Sequence, residues 1–395
     1  MRQHAETGLE LPCGNSFVET LLAASTFGPL SRQYRFLSMA DKLLKDPATM
    51  YLQAEIVHRQ SVLLRLEGNV CGSNRLIQEF LNRSSPDPKP RLYFVFGLLH
   101  LSQATNYTYN FDFELANKEL QCWMPSNDTE KQLDVAWDQI YCAGRILRGQ
   151  GCFDKAKQFF ERCLAIYRLR EAKRILMKSN LADLYSELDY SQRKRSDSNY
   201  SEERMAEETT FLDKADEMVR PEIGRLRARA QYSKGFRRLL LSLSEVEVRR
   251  CRFDKADSLL TELRDIYSRL IEPDIVDRLG HVRALIALAR ISPLSEAEVR
   301  WNEALDLNRK YNPFEEEAFT CGLIYLFICS TRLKLGNLDG SKAAFNHAVE
   351  VFRKRRPQFL IPGVGTYLFD DVQCQIKSLA GWMLPRNDFI TCVFS

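Results

Sequence analysis

Gly151-Cys152-Phe153-Asp154-Lys155-Ala156-Lys157-Gln158-Phe159-Phe160 decides the fold, because its middle returns later in the chain. Phe153-Asp154-Lys155-Ala156 recurs as Phe253-Asp254-Lys255-Ala256, and Leu212-Asp213-Lys214-Ala215 is a third variant. Apolar residues at helical spacing follow each copy: Phe159, Phe160 and Leu164 after the first, Leu259, Leu260 and Leu263 after the second. The small residue of the phrase serves as an anchor. Walking outward from Ala156 gives Ser73, Ala116, Ala156, Ala215, Ala256, Ala297 and Ser341. The steps are 43, 40, 59, 41, 41 and 44 residues. Self-similarity at a fixed period of this size is the mark of a stacked repeat architecture.

The pattern inside a unit says which kind of repeat. In the stretch from Trp137 to Ile166, Gly144 lies twelve residues before Ala156, Gly151 and Phe153 form a turn, and Phe160 and Cys163 follow the anchor by four and seven. Two antiparallel helices approach closely only where small side chains face each other, with bulky neighbours filling the groove one turn away. Asp154, Asp213 and Asp254 fall in the first turn of the second helix, where a carboxylate meets the helix dipole favourably. Fragments of the same pattern appear as Ala104, Tyr107, Phe113, Ala116, Leu120 and Trp123, as Leu181, Ala182 and Tyr185, as Leu294, Ala297, Trp301 and Ala304, and as Gly336, Leu338, Ser341, Phe345 and Ala348. This arrangement resembles the tetratricopeptide repeat. The period near 42 exceeds the roughly 34 residues of the common repeat, so each helix is longer by about a turn. Two departures stand out: Cys251 where Gly is usual, and Glu247 where Tyr is usual.

The expected fold is therefore all-α, a right-handed superhelical solenoid of antiparallel helical hairpins. Residues 1–50 are expected to form an N-terminal capping region with a helix around Tyr34–Leu44, and 51–355 the repeats. The 59-residue step is assigned to a polar surface insertion at about 190–205, which begins Tyr190-Ser191-Gln192-Arg193-Lys194-Arg195. Residues 356–395 are expected to fold back as a C-terminal cap, since a stack must cover its last apolar face. The segment from Phe253 to Trp382, with Glu272-Pro273-Asp274-Ile275-Val276-Asp277 and Phe369-Asp370-Asp371-Val372, is similar to the repeat tails of fungal proteins of the NACHT/NB-ARC kind. No Gly-x-x-x-x-Gly-Lys-Ser/Thr loop accompanies it, so the NTPase activity of such proteins does not carry over.

Composition narrows the function. With 45% hydrophobic residues a continuous core is available, and a net charge of +4 over 395 residues does not mark a nucleic-acid binder. No long uninterrupted apolar run suggests a membrane span, and the polar start of the chain argues against a secretory signal. Eleven cysteines show neither Cys-x-x-Cys nor zinc-ligand spacing. Reduced thiols in a cytoplasmic, possibly nuclear, protein follow as the expectation. The basic run Arg353-Lys354-Arg355-Arg356 fits a helix end or an import signal.

Catalytic signals are thin. Asp370-Asp371-Val372-Gln373-Cys374 has Cys where a second turn of magnesium-binding aspartate would stand, and it reads as a helix start. The five histidines are scattered, and Cys142, Cys152 and Cys163 fit core and turn positions. No catalytic residue, metal or cofactor is assigned. The expected function is a non-catalytic protein-interaction scaffold or adaptor that takes a partner protein or peptide, with no nucleic acid and no membrane. The alternative is an enzyme or accessory protein of a biosynthetic pathway on a helical fold. In the repeat that this chain resembles, the first helix of each hairpin lines the groove. That resemblance places Tyr141, Arg145 and Arg148 on one groove-facing stripe, with Asp183 and Ser186 bordering it from the next unit. Tyr and Arg are the side chains that dominate binding hot spots, and Arg can hold a carboxylate through two hydrogen bonds.

Overall fold

The computed structural model describes residues 15–44, 50–84, 90–110, 112–123, 130–166, 170–196, 210–310 and 315–353, together with Val372 and Ile376. All regular structure among them is helical. The helices are α1 (Asn15–Ala24), α2 (Leu30–Leu43), α3 (Met50–Glu67), α4 (Val70–Arg83), α5 (Pro90–Tyr109), α6 (Phe113–Gln121), α7 (Glu130–Gly149), α8 (Phe153–Ala165), α9 (Glu171–Ser196), α10 (Phe211–Arg229), α11 (Lys234–Arg249), α12 (Phe253–Ser268), α13 (Ile275–Ile291), α14 (Leu294–Lys310), α15 (Glu315–Lys334) and α16 (Leu338–Arg353). They pair in chain order into hairpins. From α3 onward the odd-numbered helix is the first of each pair.

The same turn joins first to second helix in four hairpins. Gly68, Gly151, Cys251 and Gly336 each stand five residues before an anchor, and each has positive φ: 100°, 77°, 57° and 76°. A left-handed residue there lets the next amide reach back to a free carbonyl of the helix just ended. The amides of Asn69, Cys152, Arg252 and Asn337 donate to Leu64, Leu147, Glu247 and Arg332 at 2.7, 2.8, 2.9 and 2.9 Å. The left-handed residues themselves donate to Arg65, Arg148, Val248 and Leu333 at 3.0 Å each. Asn69 and Asn337 then cap the following helix, accepting from Gly72 and Gly340 at 2.8 and 2.9 Å. Cys251 thus holds a glycine's conformation with a side chain attached, which sterics disfavour.

Small residues hold the hairpins shut. All seven anchors are buried, as are Ser61, Ala104, Gly144, Ser244, Leu285 and Cys329, the residues twelve before six of them. Some pairs touch directly: the Ser73 hydroxyl donates to the Ser61 carbonyl at 2.8 Å, and Cys329 Sγ lies 3.2 Å from Ser341 Oγ. At Gly144 an added Cβ would meet the Phe160 ring at 2.5 Å, so only hydrogen fits under the aromatic that follows the anchor by four.

The chain divides into two compact units, Met1–Tyr107 with Glu114–Gln139, and Thr108–Phe113 with Ile140–Ser395. In the first unit, Val18, Leu21 and Leu22 of α1 and Leu37 and Ala40 of α2 share a core with Leu52, Ile56 and Leu63 of α3. Within residues 1–50, α1 precedes α2, the helix that covers the stretch around Tyr34. A second core joins Ala54, Ile77, Phe80, Val95, Phe96 and Leu99 across α3, α4 and α5. A polar seam runs beside it: Arg65 donates to Ser102 Oγ and Asn106 Oδ1 at 2.9 and 3.0 Å, and Asn106 donates to Ser73 and Asn74 at 2.8 and 2.7 Å. In the second unit Trp301 stacks on Phe327 at 4.6 Å and Tyr185 on Phe211 at 5.7 Å.

The polar run after Tyr190 differs from expectation. It opens as helix, because α9 continues to Ser196. Ser, Gln, Arg and Lys carry no helix-breaking backbone, and polarity alone does not end a helix. Residues 197–209 and most of 354–395 lie outside the described residues, with Asp370, Asp371, Cys374 and Arg355–Arg356 among them. Val372 and Ile376 are helical and fully buried.

Candidate functional site

The first helices of the second unit carry the five expected residues. Arg145 and Arg148 lie one and four residues after the small Gly144, and Asp183 and Ser186 lie one and four after the small Ala182. Their environments differ sharply. Arg145 is half-buried with its guanidinium 5.1 Å from the centre of the Tyr109 ring and 5.9 Å from that of Tyr141. Each aromatic face attracts the cation. Tyr141 in turn lies 6.1 Å from Phe160, the aromatic wedged against Gly144. Phe160, held against Gly144, thus neighbours the tyrosine that neighbours the arginine.

Of the five residues expected at the groove, Arg148 and Ser186 are buried. Arg148 is 7% exposed and Ser186 2%. The Ser186 hydroxyl donates to the Ala182 carbonyl one turn back, at 3.2 Å. The Arg148 guanidinium donates to both oxygens of Glu187, at 3.0 Å from Nε and 2.7 Å from Nη2. Asp183 stands 3.7 Å from the same guanidinium and is half-buried. Burial disfavours the charged form of Arg148, but the adjoining Glu187 carboxylate outweighs it and raises the guanidinium further above its already high value. For Glu187 burial pushes the carboxyl up while Arg148 opposes it. The pair joins α7 to α9 inside the helix wall.

A second cluster lies further along. The Arg249 guanidinium sits 5.1 Å from the Tyr190 ring. Its Nε donates to Glu245 at 3.3 Å, and Glu245 also receives Arg290 of α13 at 3.1 and 3.2 Å. Sequence reasoning missed Glu187, Tyr109, Arg249 and Arg290. One register position carries all four: five residues after the small Ala104, Ala182 and Ser244, and five after Leu285, which takes that place on α13. Reading that column together, rather than single positions in the best copy, would have found them. Arg283 of α13 is exposed and acts electrostatically on Glu187.

Together these residues form a polar, aromatic-lined face with more arginines than carboxylates. Such a face can hold extended backbone or carboxylate groups by hydrogen bonding and stacking. Among the described residues, no helix is long and apolar enough to cross a membrane.

The chain has the tetratricopeptide-type helical repeat fold, and solved structures bear this out. It superposes on a Rap protein complexed with competence and sporulation factor, with a TM-score of 0.54 at 12% identity, over 83% of this chain and 80% of that one. It also superposes on NprR in complex with its cognate peptide NprX, with a TM-score of 0.50 at 9% identity, over 83% and 88%. Both are tetratricopeptide-type helical repeat proteins. No family model matches the chain, and no curated relative does. The likeness to NACHT/NB-ARC repeat tails and to fungal proteins therefore rests on the residues quoted for it alone.

Proposed function

We propose that this chain is a non-catalytic interaction scaffold whose second unit binds a peptide or an extended segment of a protein along its first helices. The observation that carries this reading is the setting of Arg145. Its guanidinium packs against the rings of Tyr109 and Tyr141 and is only half-buried where Arg148 is buried, a setting that suits contact with a carboxylate or a backbone carbonyl. The charge of the face suits an acidic segment. Once Arg148 and Glu187 cancel, Arg145 of α7, Arg238 and Arg249 of α11, and Arg283 and Arg290 of α13 stand against Asp138, Asp183 and Glu245 on the same run of first helices. Both superposed structures hold a bound factor or peptide, which supports the class of ligand though not its identity. Asp183 and Tyr141 border the same site. Arg148 and Ser186 support it from beneath.

Selection of a random peptide display library on the full chain tests the reading. Peptides rich in Asp and Glu, or needing a free C-terminal carboxylate, are expected. Their affinity should fall about tenfold or more in Arg145→Glu, consistent with loss of a charge-assisted contact. Failure to enrich any peptide, or enriched peptides indifferent to Arg145→Glu, would overturn it.

A further inference from the structure

Three side chains of the first unit converge although the sequence separates them. His100 lies on α5, Glu119 near the end of α6, and Cys122 just beyond that helix. One ligand atom from each lies within 4.8 Å of the others. His100 Nδ1 and Glu119 Oε2 are 2.8 Å apart, and the Cys122 thiol points back to the Lys118 carbonyl at 3.3 Å. We propose that His100, Glu119 and Cys122 bind a zinc-class transition metal ion, with a fourth position left to water.

The donor set is the first argument. An imidazole, a carboxylate and a thiolate are the three side chains zinc takes, at about 2.0–2.3 Å from the ion. Tetrahedral ligands at those lengths stand roughly 3.3–3.8 Å from one another, and the three atoms here already lie within 4.8 Å, with His100 and Glu119 at 2.8 Å. The ion replaces the hydrogen bond between His100 and Glu119: the neutral imidazole shifts its proton from Nδ1 to Nε2 to free the ligand nitrogen, and the thiol proton passes to solvent as the Cys122 sulfur binds. No oxidant or reductant takes part.

The second argument is that the frame is fixed. Glu119 and Cys122 are three apart at a helix end, so they share one side of it, and His100 reaches them from the facing helix. Trp123, the neighbour of Cys122, is buried with its ring against α5 at Gly97, where an added Cβ would lie 2.5 Å from it. Gln139 Nε2 donates to the carbonyls of Leu120 and Trp123 at 3.1 and 3.0 Å. These contacts bracket Cys122 on both sides and hold the last turn of α6 in register with His100. Cys122 itself is exposed, which gives the ion an entry path and the fourth position access to water. Bound there, the metal clips the two helices of one hairpin together.

Cobalt(II) is the probe, added to the full chain after reduction and chelator treatment. Site occupancy gives a near-ultraviolet thiolate-to-metal band and visible bands of a tetrahedral ion, saturating at one equivalent and displaced by zinc. Cys122→Ser should abolish the thiolate band, and His100→Gln should weaken binding by more than about tenfold, both with helical content unchanged by circular dichroism. Absence of a band at one equivalent would overturn the proposal. So would a band that survives Cys122→Ser, since it would come from another of the chain's cysteines.

Discussion

Arg148 and Glu187 meet across α7 and α9 through two parallel hydrogen bonds, 39 residues apart in sequence and each less than a tenth exposed. A paired charge in such a place tolerates joint replacement far better than loss of one partner, because the survivor is left buried without compensation. Glu187→Ala is expected to cost about 3–5 kcal/mol. The double variant Arg148→Met/Glu187→Leu should recover most of that loss. Urea denaturation of the second unit's helices reads both, and equal loss in the single and double variants would contradict the pairing.

Cys251 offers the opposite test. Its φ of 57° matches the turn glycines at the same place in other hairpins, and its side chain is exposed. Cys251→Gly relieves left-handed strain of about 1–2 kcal/mol, part of which the freer unfolded chain takes back. A net gain of about 1 kcal/mol in stability is expected. Cys251→Val, adding a branch at the same φ, should lose stability.

Two helical glycines should respond with opposite signs to one change. At Gly280 an added Cβ would lie 2.1 Å from the Tyr267 hydroxyl oxygen and 2.9 Å from its ring carbon. Tyr267 is itself buried, so Gly280→Ala forces a shift in a packed site and should cost about 1–3 kcal/mol. Gly224, exposed in the interior of α10, has nothing within 4 Å. Gly224→Ala should stabilise the chain by about 0.5–1 kcal/mol through helix propensity. Thermal melts of the two variants beside the parent settle the contrast.

Acid should loosen both units through their histidines. His281 stacks on Tyr267 at 5.3 Å, and burial, aided by Arg264, lowers its pKa to about 4. His58 is lowered to about 3 by burial and by Arg65 and Arg59. A histidine whose folded pKa lies below its unfolded value of about 6.5 contributes stability above that value and loses it as pH falls. Between pH 6.5 and 4 the His281 contribution should decline by up to about 3 kcal/mol. His281→Phe keeps a ring against Tyr267 but cannot titrate. Its melting temperature should fall less steeply over that interval, and identical slopes would refute the assignment.

The sequence by itself determined the repeat. Small anchors such as Ala156, the turn at Gly151 and the aromatic Phe160 lie within one hairpin, and their spacing follows from helix geometry and from how closely two helices can approach. Seven anchors found by spacing are all buried. Even the departure at Cys251 was visible as a residue out of place. Tertiary structure alone decided which polar groups meet. Arg148 looked like a groove residue from its helical face, yet α9 brings Glu187 against it and both are buried. His100, Glu119 and Cys122 show no ligand spacing, because the contact depends on how α5 and α6 pair rather than on either helix alone. Helical periodicity fixes which side of a helix a residue takes; what stands opposite that side is set by the packing of neighbours tens of residues away.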